Sequence, residues 1–135
     1  MSNSTYAYFT VVGSGDHNRI TEILGVEPSS AFTEGTPIPG RFTKYGSTKW
    51  RIDSAINRDC LLHECLEEHV ENVVGQVERI KDKLNLLDPD YEKYIQCVAY
   101  YEGSNLGLWL SSDILKRIAA LSIGIEFDLY SLPDE

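Results

Sequence analysis

The densest group of reactive side chains lies between Cys60 and His69, in the segment CLLHECLEEH. Cys65 and His69 are four residues apart. His63 and Glu67 have the same spacing, so each pair would share one face of a helix and could bind a metal ion. The segment has no Cys-x-x-Cys pair and no zincin motif, and Cys65 fits an apolar helix stripe equally well. We therefore predict no catalytic residue, no metal and no cofactor.

A second group combines aromatic and charged side chains on predicted strand faces. Trp, Tyr and Arg are the residues from which binding hot spots are commonly built, so we expect this group to bind a ligand or a partner. The alternative is that several of its members only pack against the sheet, and for Trp50 packing is the favoured interpretation. The predicted binding residues are Tyr8, Arg51, Tyr100, Trp109, Asp128 and Tyr130.

Two further patterns have a chemical and a plainer interpretation. Glu126 and Asp128 would share one strand face, either as a carboxylate pair for acid–base work or for a cation, or as solvated groups. Pairing with Arg51 or Lys49 on another strand is one option for the solvated groups. The segment Gly13-Ser14-Gly15 resembles a phosphate-binding turn but lacks the third glycine and the lysine of the known motifs. The plainer interpretation is favoured in both cases.

The sequence of the first half of the chain predicts a strand, a helix, an edge strand and a further strand, in that order. Tyr6–Val12 is rich in aromatic and β-branched residues, and a short helix would follow with Asp16 as its N-cap and Gly25 as its terminator. Residues 28–49 hold three prolines and three glycines and predict a long excursion with an edge strand at Ser30–Thr33. Lys49–Ser54 alternates in polarity and predicts a strand.

The second half begins with a helix from about Asp59 to Leu87, whose apolar residues recur every three or four positions. This helix is long for a small sheet, so its end is expected to project or break, and Gly75 is predicted to mark a bend or a close contact. The strand Tyr94–Tyr101 follows. A compact βαβ unit then combines a strand at Leu106–Leu110, a helix that ends at Gly124 and a strand at Ile125–Tyr130.

The element order is therefore β-α-(β)-β-α-β-β-α-β. It predicts a single α+β domain over residues 1–135, with a mainly antiparallel sheet and helices packed on one face, in a ferredoxin-like order. The other face of the sheet would be free for contact.

Composition narrows the functional classes. The net charge is −9, and residues 59–135 hold 16 acidic and 6 basic groups, so a nucleic-acid partner is not expected. No apolar run is long enough for a transmembrane helix, and the start of the chain does not read as a signal peptide. The three cysteines are expected to be reduced thiols, so a cytoplasmic location without membrane contact is predicted.

The chain also resembles a known family in outline. The residues concerned are the segment Ile23–Pro28, the strand around Trp50, the long acidic helix, and the closing pattern Leu115-x-x-Ile118-Ala119 with Ile125-x-Phe127-Asp128-x-Tyr130. Together they resemble the bacterial family called domain of unknown function 4279. The resemblance implies a single α+β domain from a bacterium, and a shared pattern that includes Trp50, Asp128 and Tyr130, but it brings no established activity.

The leading functional expectation is a non-enzymatic protein-binding module, for which an immunity-type inhibitor of a basic toxin is one concrete form. Small size, acidity and the lack of a catalytic motif favour it. The alternative is a small-molecule or enzymatic site on the free sheet face, and a deep pocket there would favour that alternative. Self-association as a homodimer through the same surface stays open.

Overall fold

The computed structural model describes residues 4–56, 62–103 and 107–133, without the side chains of residues 62–65. The described elements are β1 (Ser4–Gly13), α1 (His17–Leu24), β2 (Ser30–Phe32), β3 (Thr48–Asp53), α2 (Leu62–Glu78), α3 (Lys81–Leu84), β4 (Glu92–Tyr101), α4 (Ser112–Ala120) and β5 (Gly124–Ser131). Of the helices described, none has the length and apolar character that crossing a bilayer requires.

The five strands form one mixed sheet in the order β2-β3-β1-β4-β5. The pairs β2/β3, β3/β1 and β1/β4 are antiparallel, whereas β4 and β5 are parallel and are joined by α4. A parallel pair needs a long crossover, and α4 supplies it. The prediction of an α+β fold with a mainly antiparallel sheet is confirmed.

One face of the sheet packs against the helices and forms the core. In β1, Ala7, Phe9 and Val11 alternate toward this face, as period-two side-chain geometry requires. Trp50 from β3 is fully buried beside Phe9, with the two rings edge to face at 6.4 Å between centroids. The apolar stripes of α1, α2 and α4 join the same cluster, so the prediction that the helices share one face is also confirmed. We call the opposite side of the sheet the open face.

Local signals set the limits of the short helices. Asp16 caps α1 by accepting a hydrogen bond from the Asn18 N–H, and Gly25 ends it with φ at 72°. The end predicted for α4 is wrong, since the helix finishes at Ala120 and the left-handed residue is Ser122, with φ at 56°. Gly124 instead begins β5.

The strand predicted at Leu106–Leu110 is wrong over its described part, since Gly107–Leu110 form no strand. Leu108 and Leu110 pack against the core from an irregular segment instead. The physical reason is that β4 has both edges paired, one by β1 and one by β5, so this segment cannot form the predicted hairpin with β4. The crossover unit is therefore β4-α4-β5.

The long predicted helix breaks after Glu78, and α3 continues from Lys81. Its predicted start at Asp59 lies outside the described residues. Gly75 lies inside α2, and a Cβ built there would have no neighbouring atom within 4 Å, so the predicted close contact is wrong.

Candidate functional site

The open face contains a cavity of about 290 Å³, and we call it the open-face cavity. All five strands contribute to it. Paired residues such as Tyr8, Gln96 and Glu126 project on the open face, whereas Ala31 and Trp50 belong to the core side of the sheet. Its lining residues are Ser30, Ala31 and Phe32 of β2, Lys49, Trp50 and Arg51 of β3, Tyr8 and Thr10 of β1, Tyr94 and Gln96 of β4, and Glu126 and Asp128 of β5.

Gln96 belongs to the part of the cavity lining that β4 contributes. The strand register places it between Tyr8 on β1 and Glu126 on β5. Its side chain is 3% exposed, and its Nε2 has no hydrogen-bond partner among the residues that the structure describes. A buried polar group without a partner costs about 1–3 kcal/mol, so this amide is a donor in need of an acceptor.

The β3 side of the cavity is cationic. Lys49 and Arg51 lie two residues apart on this strand and both line the cavity. The Arg51 guanidinium lies over the Tyr8 ring, with its Cζ 4.1 Å from the ring centroid, and its Nε is 2.8 Å from Oδ1 of Asp53. The ring and the charge of the carboxylate hold Arg51 over the neighbouring strand β1, beside the cavity that it lines.

The β5 side of the cavity is anionic. Glu126 and Asp128 line it from alternate positions and form no ion pair with a cation in the described part of the chain. The predicted pairing with Arg51 or Lys49 is therefore wrong. The sheet order explains this, because β1 and β4 separate β3 from β5, which leaves roughly 14 Å between the two backbones.

Two tyrosines between these charged sides stay protonated near neutral pH. Burial, followed by the negative charge of Glu126, raises the pKa of Tyr94 above its ordinary value. Burial also raises the pKa of Tyr8, although the charge of Arg51 partly opposes the change. Both phenols therefore keep an O–H group that can donate a hydrogen bond inside the cavity.

The structure brings together only some of the predicted binding residues. Tyr8, Arg51 and Asp128 line the open-face cavity. Tyr100 and Tyr130 lie on neighbouring strands outside its lining and stack on each other, with ring centroids 4.9 Å apart. Trp109 was expected on a strand face, but it lies in the irregular segment before α4 with 65% of its surface exposed, away from the described lining.

Sequence reasoning missed Gln96, Tyr94 and Thr10 as lining residues. One signal was present, because Gln96 is the single amide within the otherwise aromatic and apolar segment YIQCVAYY. A buried amide in the middle of a strand either forms a hydrogen bond within the protein or has a functional role. Its position between Tyr8 and Glu126 could not be derived without the strand order.

At the turn Gly13-Ser14-Gly15 and the start of α1, backbone N–H groups donate to carboxylates of the chain itself. The Gly15 N–H donates to Glu34 Oε1 at 3.1 Å, and the Asn18 N–H donates to Asp16 Oδ1 at 2.9 Å. The plainer interpretation, a tight turn before a capped helix, therefore accounts for this segment.

The Cys60–His69 group lies partly outside the described residues, since Cys60 and the side chains of His63 and Cys65 are not described. His69 is buried, with its Nδ1 2.7 Å from the Ser54 hydroxyl. Cys97 is a buried free thiol on the core side, and burial raises its pKa to about 12, which makes it a poor nucleophile. No group of three or more metal-binding side chains occurs within the described ranges.

The sequence of the chain matches one known protein family. The model of one family, described as a domain of unknown function (DUF4279), matches residues 3–132. The chain belongs to the DUF4279 family. Comparison with curated proteins found no match. The family match covers every element of the sheet and all the lining residues of the open-face cavity.

Proposed function

We propose that this DUF4279 protein is a non-enzymatic binding module that holds a small polar molecule in the open-face cavity. The observation that carries the proposal is the buried Nε2 of Gln96, which lacks a partner among the described residues. An acceptor atom of a ligand would offset the cost of leaving this donor unpaired. A volume of about 290 Å³ is at the lower end of ligand sites, which favours a molecule with few non-hydrogen atoms.

Two features support binding over nucleophilic catalysis and favour a cytoplasmic setting. The described lining of the cavity contains neither cysteine nor histidine. Cys97, a buried free thiol, faces the core and fits a reducing compartment.

The test is a screen of the ¹⁵N-labelled chain against anionic, cationic, dipolar and neutral polar compounds by nuclear magnetic resonance. The signal to follow is the side-chain amide of Gln96, assigned by its loss in Gln96→Leu. We expect at least one class of compound to shift this signal and to stabilise the chain by about 2.7 kcal/mol at a hundred times its Kd. Gln96→Leu should lose this binding.

Gln76 provides the matched control. It lies on α2, across the core, and its Nε2 donates to the Asp53 carbonyl and to Asn72 Oδ1. Gln76→Leu should therefore lower stability while binding persists. Compounds that bind Gln96→Leu as tightly as the unchanged chain, or a screen in which the Gln96 signal never moves, would overturn the proposal.

A protein partner with a basic surface is the second candidate, in the form of an immunity-type inhibitor of a basic toxin. It is favoured by large apolar side chains left exposed on β5, on α4 and before α4, together with the net charge of −9. The exposed residues are Trp109, Leu115, Phe127 and Leu129, between 41% and 65% exposed. The same surface could support a homodimer.

This candidate is tested by co-purification from native cells at low salt, with the unchanged chain and with Phe127→Ser. A partner that the unchanged chain retains and Phe127→Ser loses supports it, whereas failure to retain any protein rejects it. Sedimentation of the purified chain decides the homodimer, which a monomer at every concentration would exclude.

A further inference from the structure

The open-face cavity combines opposite charges at its two ends with neutral donors between them. From the geometry we infer that its ligand is a small dipolar molecule, with an anionic group at Arg51 and Lys49, a cationic group at Glu126 and Asp128, and a hydrogen-bond acceptor between them at Gln96. This inference rests on the proposed function and specifies its ligand. A two- or three-residue peptide with free ends is the simplest molecule of this kind.

The anionic end of the ligand is assigned by the state of Arg51. Its Nε lies 2.8 Å from Asp53 Oδ1 as an ion pair without a hydrogen bond, and one face of the guanidinium lies over the Tyr8 ring. The two terminal nitrogens form the edge that binds a carboxylate through two parallel hydrogen bonds. Lys49 adds a second positive charge on the same strand.

The cationic end is assigned by β5. Glu126 and Asp128 face the cavity without a cation from the described part of the chain to neutralise them. An ammonium group between these carboxylates would supply the missing charge and three donors. The phenol of Tyr94 remains protonated beside them, so it carries no charge that could neutralise either carboxylate.

The spacing of the sheet gives the length of the ligand. The Arg51 guanidinium lies over Tyr8 of β1, and β5 is two strand intervals away, which is roughly 10 Å between backbones. An extended chain of two or three residues spans roughly 7–11 Å. Its peptide carbonyl would then lie over β4, where the buried Nε2 of Gln96 lacks a partner among the described residues and would donate to it.

The experiment uses triglycine and two capped forms as probes with the full ¹⁵N-labelled chain. N-acetyltriglycine keeps only the anionic end, and triglycinamide keeps only the cationic end. We expect triglycine to shift the Gln96 side-chain amide signal and to bind about tenfold more tightly than either capped form, since each lost contact is a charge-assisted hydrogen bond. Glycine, which is too short to reach both sides, should bind more weakly than triglycine.

Charge variants assign each end of the probe separately. In Arg51→Gln the preference for triglycine over triglycinamide should fall well below tenfold, because only Lys49 remains at the anionic end, whereas the preference over N-acetyltriglycine persists. Glu126→Gln should weaken the preference for triglycine over N-acetyltriglycine and leave the preference over triglycinamide unchanged. The matched controls Arg41→Gln and Glu22→Gln change exposed groups outside the cavity lining and should alter neither.

The outcomes separate this inference from the proposed function. If the capped forms bind as tightly as triglycine, the ligand needs only one charge, and the dipolar assignment is wrong while the cavity remains a binding site. If none of the glycine probes shifts the Gln96 signal although other screened compounds do, only the dipolar class is rejected. If nothing shifts it, both fail together.

Discussion

At the scale of single residues, Gly13 is required because the structure has no space for a side chain at this position. A Cβ at this position would fall inside the ring of Tyr91, whose hydroxyl donates a hydrogen bond to the Ser14 carbonyl at 2.6 Å. Gly13→Ala must therefore displace the ring or the turn, and we expect it to lower the free energy of unfolding by about 1–3 kcal/mol. Urea unfolding of the two proteins measures the difference.

Gly75 provides the comparison because it shares the residue type without the contact. A Cβ there meets no atom within 4 Å, and the residue lies inside α2, so Gly75→Ala should raise stability by up to about 1 kcal/mol. The cost of Gly13→Ala should also shrink in a Tyr91→Ala background, since the two positions are in contact. A cost that is unchanged without the ring would show that the space argument is wrong.

At the scale of elements, Arg117 joins α4 to α2. It donates to both carboxylate oxygens of Glu78, at 2.6 and 3.2 Å, and its longer contacts reach Glu71 and Asp113. The hydrogen bonds from Arg117 lower the pKa of Glu78 below its ordinary value of 4.5. A carboxyl whose pKa is lowered by folding stabilises the fold above its unfolded pKa, and this stability is lost as the pH falls through the folded pKa.

We therefore expect Glu78→Gln to cost about 1 kcal/mol at neutral pH, because the pair is partly solvent-screened, and to cost progressively less as the pH falls below 4.5. Glu71→Gln is the matched control, since Glu71 is 62% exposed and its ion pair with Arg117 is longer, at 3.6 Å. It should change stability and its pH dependence less. Urea titrations from neutral to acid pH measure both, and equal behaviour of the two variants would contradict the assignment.

The accuracy of prediction from sequence also depends on the element. The limits of α1 follow from Asp16 and Gly25, which act on their own neighbours, so the sequence could predict them. The sequence of Leu106–Leu110 alternates as a strand does, but a hairpin with β4 also needs a free edge on β4. The order of the whole sheet leaves none there.

The prediction of the candidate site was partly right and partly wrong, because it used residue type and strand face without the strand order. Tyr8, Arg51 and Asp128 were found by residue type and strand face, whereas Gln96 became recognisable only when β1 and β5 were placed on either side of β4. Trp109 was assigned to the site by its residue type alone, and it lies on no strand. Local chemistry is thus readable from the sequence, while the assembly of a cavity from five strands is a property of their pairing.

At the scale of the whole molecule, the two tryptophans differ in what they report. Trp50 is fully buried, contacts Phe9 of β1 and donates its indole N–H to Thr21 of α1 at 3.0 Å. Trp109 is 65% exposed. In Trp109→Phe the fluorescence therefore follows only the core between sheet and helices, whereas far-ultraviolet circular dichroism follows mainly α2, the longest helix described.

Because one buried cluster joins the sheet to α1, α2 and α4, we expect these two signals to report the same event. Urea unfolding of Trp109→Phe should give coincident transitions, with the midpoint close to that of the unchanged chain. Trp50→Phe is the control, since it removes a core side chain and should lower the midpoint and leave a fluorescence signal that changes little on unfolding. Transitions that separate would mean that α2 unfolds independently of the core around Trp50, and the prediction of a single domain over residues 1–135 would then be wrong.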